Sequence, residues 1–249
     1  MRTVVVYADA QAVADATGAR LGLLLSDTIA LRGVAHVVLT GGTVGIQLLR
    51  SLAASPLANL IDWTSVHVWW GDERFVATGD NDRNELQAQE ALLGAVALPE
   101  ENIHRIGSSD DFESAVLSAS AYYSEIANEG GDPEWDVALF GMGPDGHVAS
   151  LFPGQPEFTS SRDHREQEWT GSLPRAAAIL DSPKPPPERV TMTLATINRA
   201  RRIWIVAAGA EKANAVARAV HGDTELPAAC VKGTIETLWL IDTAASTAI

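Results

Sequence analysis

The chain predicts an α/β fold: a modified Rossmann-like, doubly wound, mostly parallel sheet with helices on both faces and a small accessory β element. Three observations predict it. Short apolar runs alternate along the 249 residues with longer stretches of helical periodicity, the pattern of parallel strands joined by crossover helices. Apolar runs end in glycine turns that carry polar side chains, which is where open α/β sheets place their ligands. The rhythm breaks over residues 156–187 and then resumes, so the break reads as an excursion inside one domain spanning residues 1–249.

Residues 3–7 form a first strand rich in β-branched side chains, with an apolar run too short for a signal-peptide core. Residues 10–31 carry a helical pattern, and 35–40 form the second strand. Next comes Leu39-Thr-Gly-Gly-Thr-Val-Gly-Ile-Gln-Leu48, a glycine turn opening a helix over 45–54. The third strand, 66–70, runs into Trp69-Trp-Gly-Asp-Glu-Arg-Phe75. Asp82-Arg-Asn-Glu-Leu86 reads as the capped start of a helix over 85–93, with Asn84 as a candidate cap. A further helix is expected over 111–128, before a continuous apolar run at 136–141 that suits a buried strand. The excursion ends in Asp181-Ser-Pro-Lys-Pro-Pro-Pro187, whose prolines force extended backbone. Residues 175–180 and 190–194 can pair as an accessory β element over the site. A strand at 202–207, a helix at 211–220 and a strand at 237–241 complete the chain.

The formal charge of −14 argues against nucleic acid or anionic membrane as partners. An anionic ligand would be repelled at long range, so its site needs locally concentrated cations and N–H donors. No apolar run approaches the roughly 18 residues of a membrane span. The lone cysteine, Cys230, excludes an intrachain disulfide, fits a reducing cytoplasm and reads as a packing residue. No zinc-site spacing and no Gly-x-Ser-x-Gly elbow is present, which favours a site without metal or cofactor. His36, His67, His104, His164 and His221 show no obvious constellation in sequence, and His67 reads as a structural histidine in a strand.

The stretch Phe140-Gly-Met-Gly-Pro-Asp-Gly-His-Val-Ala-Ser-Leu-Phe-Pro153 carries most of the chemistry. Its glycines, Gly143 among them, hold one carboxylate, Asp145, and one imidazole, His147, the natural proton-transfer group near neutral pH. The turn Thr40-Gly41-Gly42-Thr43 offers free N–H groups, hydroxyls and a helix dipole to a phosphate. It matches neither a dinucleotide fingerprint nor a P-loop. Asp72, Glu73 and Arg74 cluster where the crevice opens, and Arg74 suits a bidentate clamp on phosphate or carboxylate, although short charge runs are often solvated loops. Lys212, near a helix N-terminus where the macrodipole disfavours a cation, suits a bound anion.

Taken in order, these segments resemble 6-phosphogluconolactonase, in the superfamily that also contains glucosamine-6-phosphate deaminase. The resemblance rests on Leu39-Thr-Gly-Gly-Thr43, Trp70-Gly-Asp-Glu-Arg74, Asn84, the Gly141–Pro153 segment, Pro187-Glu-Arg-Val-Thr-Met-Thr193, Gly209-Ala-Glu-Lys212 and Leu238-Trp-Leu-Ile-Asp242. The family's turn commonly reads Ser-Gly-Gly-Ser-Thr-Pro. Here threonines replace the serines, Val44-Gly45 replaces Thr-Pro, and Arg83 stands where a serine is usual. The resemblance implies hydrolysis of a small sugar-phosphate lactone, 6-phospho-D-glucono-1,5-lactone, in the cytoplasm by a monomer or weak homodimer. It implies His147 as general base oriented by Asp145. Thr40, Gly41, Gly42, Thr43, Arg189 and Lys212 would hold the phosphate, and Asp72 would contact sugar hydroxyls. The Gly143–Gly146 bend or Arg74 would stabilise the oxyanion. Two alternatives are a deaminase or isomerase, whose pattern after Asp-Gly-His contains an Asn-Glu pair absent from Ala149-Ser-Leu-Phe-Pro153, and a non-catalytic sugar-phosphate sensor. A transcriptional sensor would carry a basic DNA-binding segment, for which this acidic chain has no room before its first strand.

Overall fold

The computed structural model describes residues 2–128, 134–163 and 174–249. Six strands form one sheet: β1 (Arg2–Tyr7), β2 (Ala35–Leu39), β3 (Val66–Trp70), β5 (Val137–Gly141), β8 (Arg202–Ala207) and β9 (Glu236–Asp242). Their order is β1-β9-β8-β5-β2-β3, and every neighbouring pair is parallel. The central strands are buried on both faces, which is why they read as unbroken apolar runs.

From β2 the chain steps outward to β3, whereas from β5 it steps the opposite way to β8 and β9. The carboxyl ends of β2 and β5 therefore flank the point where strand order reverses, the crevice position of open α/β sheets.

Three strands form a second, antiparallel sheet in the order β4 (Asp72–Arg74), β7 (Arg189–Met192), β6 (Ala176–Ile179). The expected pairing of 175–180 with 190–194 is present, from Ala176↔Met192 to Ile179↔Arg189. It stops at Met192 because Thr193 turns to cap a short helix, accepting a hydrogen bond from Thr196 N. The third member, β4, falls where the sequence reads as a charged loop.

The helices are α1 (Ala10–Arg32), α2 (Thr43–Ala54), α3 (Asn84–Ala91), α4 (Ala115–Asn128), α5 (Pro156–Asp163), α6 (Leu194–Ile197), α7 (Ala213–Val220) and α8 (Pro227–Cys230). α1 is bounded as its sequence suggests, by Asp9 accepting from Ala12 N and by Gly33 in the left-handed region. α4 begins four residues later than position 111. The Asp111 carboxylate instead folds back onto the N–H and hydroxyl of Ser108, holding a turn rather than a helix start. α5 occupies the head of the segment expected only as a polar excursion. Cys230 is buried, its thiol donating to Thr224 O at 3.5 Å, as a packing residue would be. Among the described residues no helix is long and apolar enough to cross a membrane.

Candidate active site

The loop leaving β5 is closed by its own backbone. Gly146 N–H donates to Gly143 O at 2.9 Å, and Gly143 N–H donates to His147 O at 3.0 Å. This tight bend brings Asp145 Oδ1 to 2.5 Å from His147 Nδ1, with the imidazole largely enclosed and its ring 4.6 Å from that of Phe152. An Nδ1–H tautomer donating to Asp145 leaves Nε2 as the basic nitrogen. Burial opposes ionisation of Asp145, but the bond from His147 and the charges of His147 and Lys184 outweigh it and hold the carboxyl well below the usual range. The bend's N–H groups at Gly143 and Gly146 are thus engaged within the bend.

Ala149 follows in the left-handed region at φ 50°, an uncommon conformation for a residue with a side chain. The turn it makes sends the Ser150 hydroxyl to Asp72 Oδ2 at 2.6 Å, fixing that carboxylate in the wall.

On the other side, Gly42 at φ 80° lets the chain leave β2 and enter α2 without any side chain capping the helix. The first N–H groups of α2 have no intrahelical partner, and they face outward at the positive end of the dipole. The Thr40 hydroxyl accepts from Gly141 N–H at 3.2 Å, which leaves its own proton for a ligand.

Glu73 explains how β4 and α3 meet. Its carboxylate accepts from Arg74 N at 2.8 Å, Asn84 N at 2.7 Å and Glu85 N at 2.9 Å, while 1% exposed. Glu73, not Asn84, caps the helix. Burial pushes its carboxyl up to about 7, against the opposing pull of Arg83 and these three N–H groups. The Asn84 side chain, freed from capping, donates to Asp72 O at 2.8 Å and accepts from Arg74 Nη1. Arg83 is buried and structural, bonded to Glu85 at 2.9 Å and to Ile106 O at 2.6 Å.

One cavity of about 290 Å³ gathers most of these groups. Thr40, Gly41 and Gly42 form one wall, and Asp72, Arg74 and Asn84 another. Gly143, His147, Arg189 and Lys212 close it, and Asp145 stands behind His147. Thr43 lies instead in an adjoining hollow of about 190 Å³, shared with Gly41, Gly42 and Lys212. Lys212 sits in a 3₁₀ turn just ahead of α7 rather than inside the helix. Burial lowers its ammonium pKa, Lys184 reinforces this, and Glu211 and Asp145 oppose it.

Sequence reasoning misses Lys184. It lines the same cavity, with Nζ 3.3 Å from His147 Nδ1 and 3.5 Å from Asp145 Oδ1. The one available signal is a lysine embedded in prolines, a side chain on a stiff backbone. Histidines away from the site also form a group that sequence spacing hides. His36 and His67 are register partners on β2 and β3 and stack at 4.6 Å; His67 Nδ1 lies 3.0 Å from His104 Nε2, and His104 Nδ1 lies 2.8 Å from Glu125. His221 Nδ1 meets Ala217 O at 2.7 Å, and His164 falls outside the described residues.

Residues 8–239 match the family described as glucosamine-6-phosphate isomerases/6-phosphogluconolactonase. The chain is 46% identical to the 6-phosphogluconolactonase of Streptomyces coelicolor, over 97% of this chain and 92% of that one. It is 41% identical to that of Mycobacterium tuberculosis, over 95% and 94%. The solved structure of the Trypanosoma brucei 6-phosphogluconolactonase superposes with a TM-score of 0.81 at 27% identity, covering 99% of this chain and 98% of that one.

Proposed function

We propose that this chain, which belongs to the glucosamine-6-phosphate isomerase/6-phosphogluconolactonase family, hydrolyses 6-phospho-D-glucono-1,5-lactone to 6-phospho-D-gluconate in the oxidative pentose phosphate pathway. The observation that carries the reading is the His147–Asp145 pair opening into a cavity that is also lined by the Thr40–Gly42 turn leading into the uncapped helix α2. A base and an anion-binding turn line one space of small-sugar size.

In this reading the phosphate lies against Thr40, Gly41, Gly42 and Thr43, with Lys212 and Arg189 as its cations. Asp72, held by Ser150 and Asn84, takes the sugar hydroxyls. His147 Nε2 removes a proton from water as it attacks the lactone carbonyl, and later returns it to the departing ring oxygen. Asp145 holds the imidazole in the required tautomer. A δ-lactone also opens spontaneously in water, so positioning and one base suffice without a covalent nucleophile. The deaminase alternative asks for an acid soon after the histidine, and Ala149-Ser-Leu-Phe-Pro153 has none.

The single buried cysteine supports a cytoplasmic setting.

Proton release from freshly generated 6-phosphogluconolactone, corrected for the buffer rate, tests the proposal. The wild-type protein is expected to accelerate release and to prefer the phosphorylated lactone over gluconolactone. His147→Ala should retain the wild-type melting temperature and lose at least about 10²-fold in kcat. Buffer-rate release by the wild-type protein would remove the lactonase reading, and near-normal turnover by a folded His147→Ala would remove the base.

A further inference from the structure

We propose that Lys184 is a catalytic residue, the cation that moves from the Asp145–His147 pair onto the lactone carbonyl oxygen as negative charge develops there. The proposal rests on the lactonase reading above.

The first support is elimination among the donors near the base. The N–H groups of Gly143 and Gly146 are bonded within the bend. Arg74 directs Nη1 to Asn84 and to Asp82 O and leaves Nε buried without a partner; it lines the cavity but makes no bond to His147 or Asp145. Arg189 gives Nε to Pro186 O at 3.2 Å and Nη2 to Lys184 O and Pro185 O, each at 3.0 Å. Lys212 lines both this cavity and the hollow it shares with Thr43, and makes no bond to His147 or Asp145. Among the described residues, Lys184 is the cation beside the couple.

Its present bonding is weak. His147 Nδ1 cannot donate to Asp145 at 2.5 Å and also accept from Lys184 at 3.3 Å. With the first bond made, the ammonium's contact with the couple is a loose ion pair to Asp145 at 3.5 Å, its one ion pair among the described residues, and the side chain is 39% exposed. Three donors on a flexible stem are thus poised at the cavity wall.

The long unbranched stem is partly exposed while its root is clamped. Ser182 N–H bonds Pro187 O at 2.9 Å and Lys184 N–H bonds Ser182 Oγ at 3.3 Å, closing the strap on itself. Arg189, 5% exposed, ties three strap carbonyls and lies 6.0 Å from the Phe152 ring, which in turn packs on His147. Base and cation are therefore held at fixed roots by one buried guanidinium.

In the step itself, a bond forms between the water oxygen and C1, and the carbonyl electrons move onto its oxygen, where Lys184 meets them. The C1–O5 bond then breaks as the carbonyl reforms. The proton travels from water to His147 Nε2 and on to O5, and the product acid ionises to the carboxylate.

The test measures kcat and KM of wild type, Lys184→Met and Lys184→Arg on 6-phosphogluconolactone and on unphosphorylated gluconolactone, with melting curves for each. Lys184→Met is expected to lose about 10²–10³-fold in kcat on both lactones, as for loss of one oxyanion donor. KM for the phosphorylated lactone should stay within about threefold, and Lys184→Arg should recover activity to within about tenfold of wild type. A loss confined to KM for the phosphorylated lactone would make Lys184 a phosphate ligand and overturn the proposal. Unchanged kcat in folded Lys184→Met, or no recovery by arginine, overturns it as well. An inactive wild type would instead sink the lactonase reading, so the two failures are distinguishable.

Discussion

Replacing Gly143 with alanine is the sharpest test of the His147–Asp145 geometry. Gly143 lies outside the left-handed region, so its backbone accepts a side chain. The space does not: a Cβ there would overlap Cε1 and Nδ1 of His147 and Oδ1 of Asp145, all well inside normal contact. Carbon contacts settle near about 3.5 Å, so the ring must retreat by more than about 1 Å or the pair must open. Displacement of about 1 Å in a catalytic group costs about 10²-fold in rate, or about 2.7 kcal/mol of barrier. Overpacking should lower stability by about 1–3 kcal/mol, a fall of roughly 2–12 °C in Tm for a chain of this size. The assay is kcat for 6-phosphogluconolactone hydrolysis, with Gly79→Ala as control, since a Cβ at Gly79 meets only open space. The expected pattern is a kcat about 10²-fold lower, KM little changed and the control normal. A folded Gly143→Ala with kcat within about threefold of wild type would show that the reaction does not use this pair as placed.

Other perturbations separate binding, architecture and pH response. Lys212→Met should raise KM for the phosphorylated lactone by about 10–100-fold, the loss of one charged hydrogen bond, and leave gluconolactone turnover unaffected; equal effects on both substrates would refute a phosphate role. Glu73→Gln presents an amide to three N–H donors and should lower stability by about 2–4 kcal/mol, with reduced turnover because Arg74 and Asn84 lose their anchor; an unchanged melting curve would refute the cap. His36 is lowered to about 4 by burial, with the charges of His67, His104 and Arg32 adding to it. Its contribution is therefore present above its ordinary value of about 6.5 and lost, up to about 3 kcal/mol, as pH falls toward 4. Glu73, raised to about 7, acts oppositely: its contribution is present below its ordinary value and lost as pH rises through 7. Denaturant midpoints of wild type and His36→Asn between pH 7 and 4.5 isolate the histidine, and parallel pH slopes would contradict the assignment.

The parallel sheet is legible in the sequence because each central strand is buried on both faces, so burial writes itself as an unbroken apolar run. The glycine turns are legible for a related reason: a backbone that must turn at a strand end admits few residue types. β4 is not, since Asp72-Glu-Arg74 has the composition of a solvated loop and its partner, Thr191, lies far along the chain. Glu73 is hidden for another reason: its carboxylate is buried by a helix start that is itself polar. His36, His67 and His104 belong to separate segments and become neighbours only through the β2–β3 register. Lys184 reaches the base because prolines and Arg189 fold a strap, an arrangement without periodicity to read.

These burial patterns bear on how an acidic protein can bind an anion. At about 0.1 M salt the screening length is about 10 Å, so most of the −14 charge is weakly felt at the cavity. Inside, Arg74, Lys184, Arg189 and Lys212 face Asp72 in the wall and Asp145 behind the imidazole. Two of the cations are fixed to backbone: Arg74 to Asp82 O, and Arg189 to the strap. Their removal loosens the structure around them as well as the site. Lys184 is tethered only loosely, and Lys212 is disfavoured as a cation where it stands by its burial and by Lys184. A dianionic phosphate placed between the turn and Lys212 would favour the charged ammonium and offset that effect. The division follows from the contacts: both arginines are anchored to backbone carbonyls at the cavity, whereas Lys184 is held more loosely beside the base.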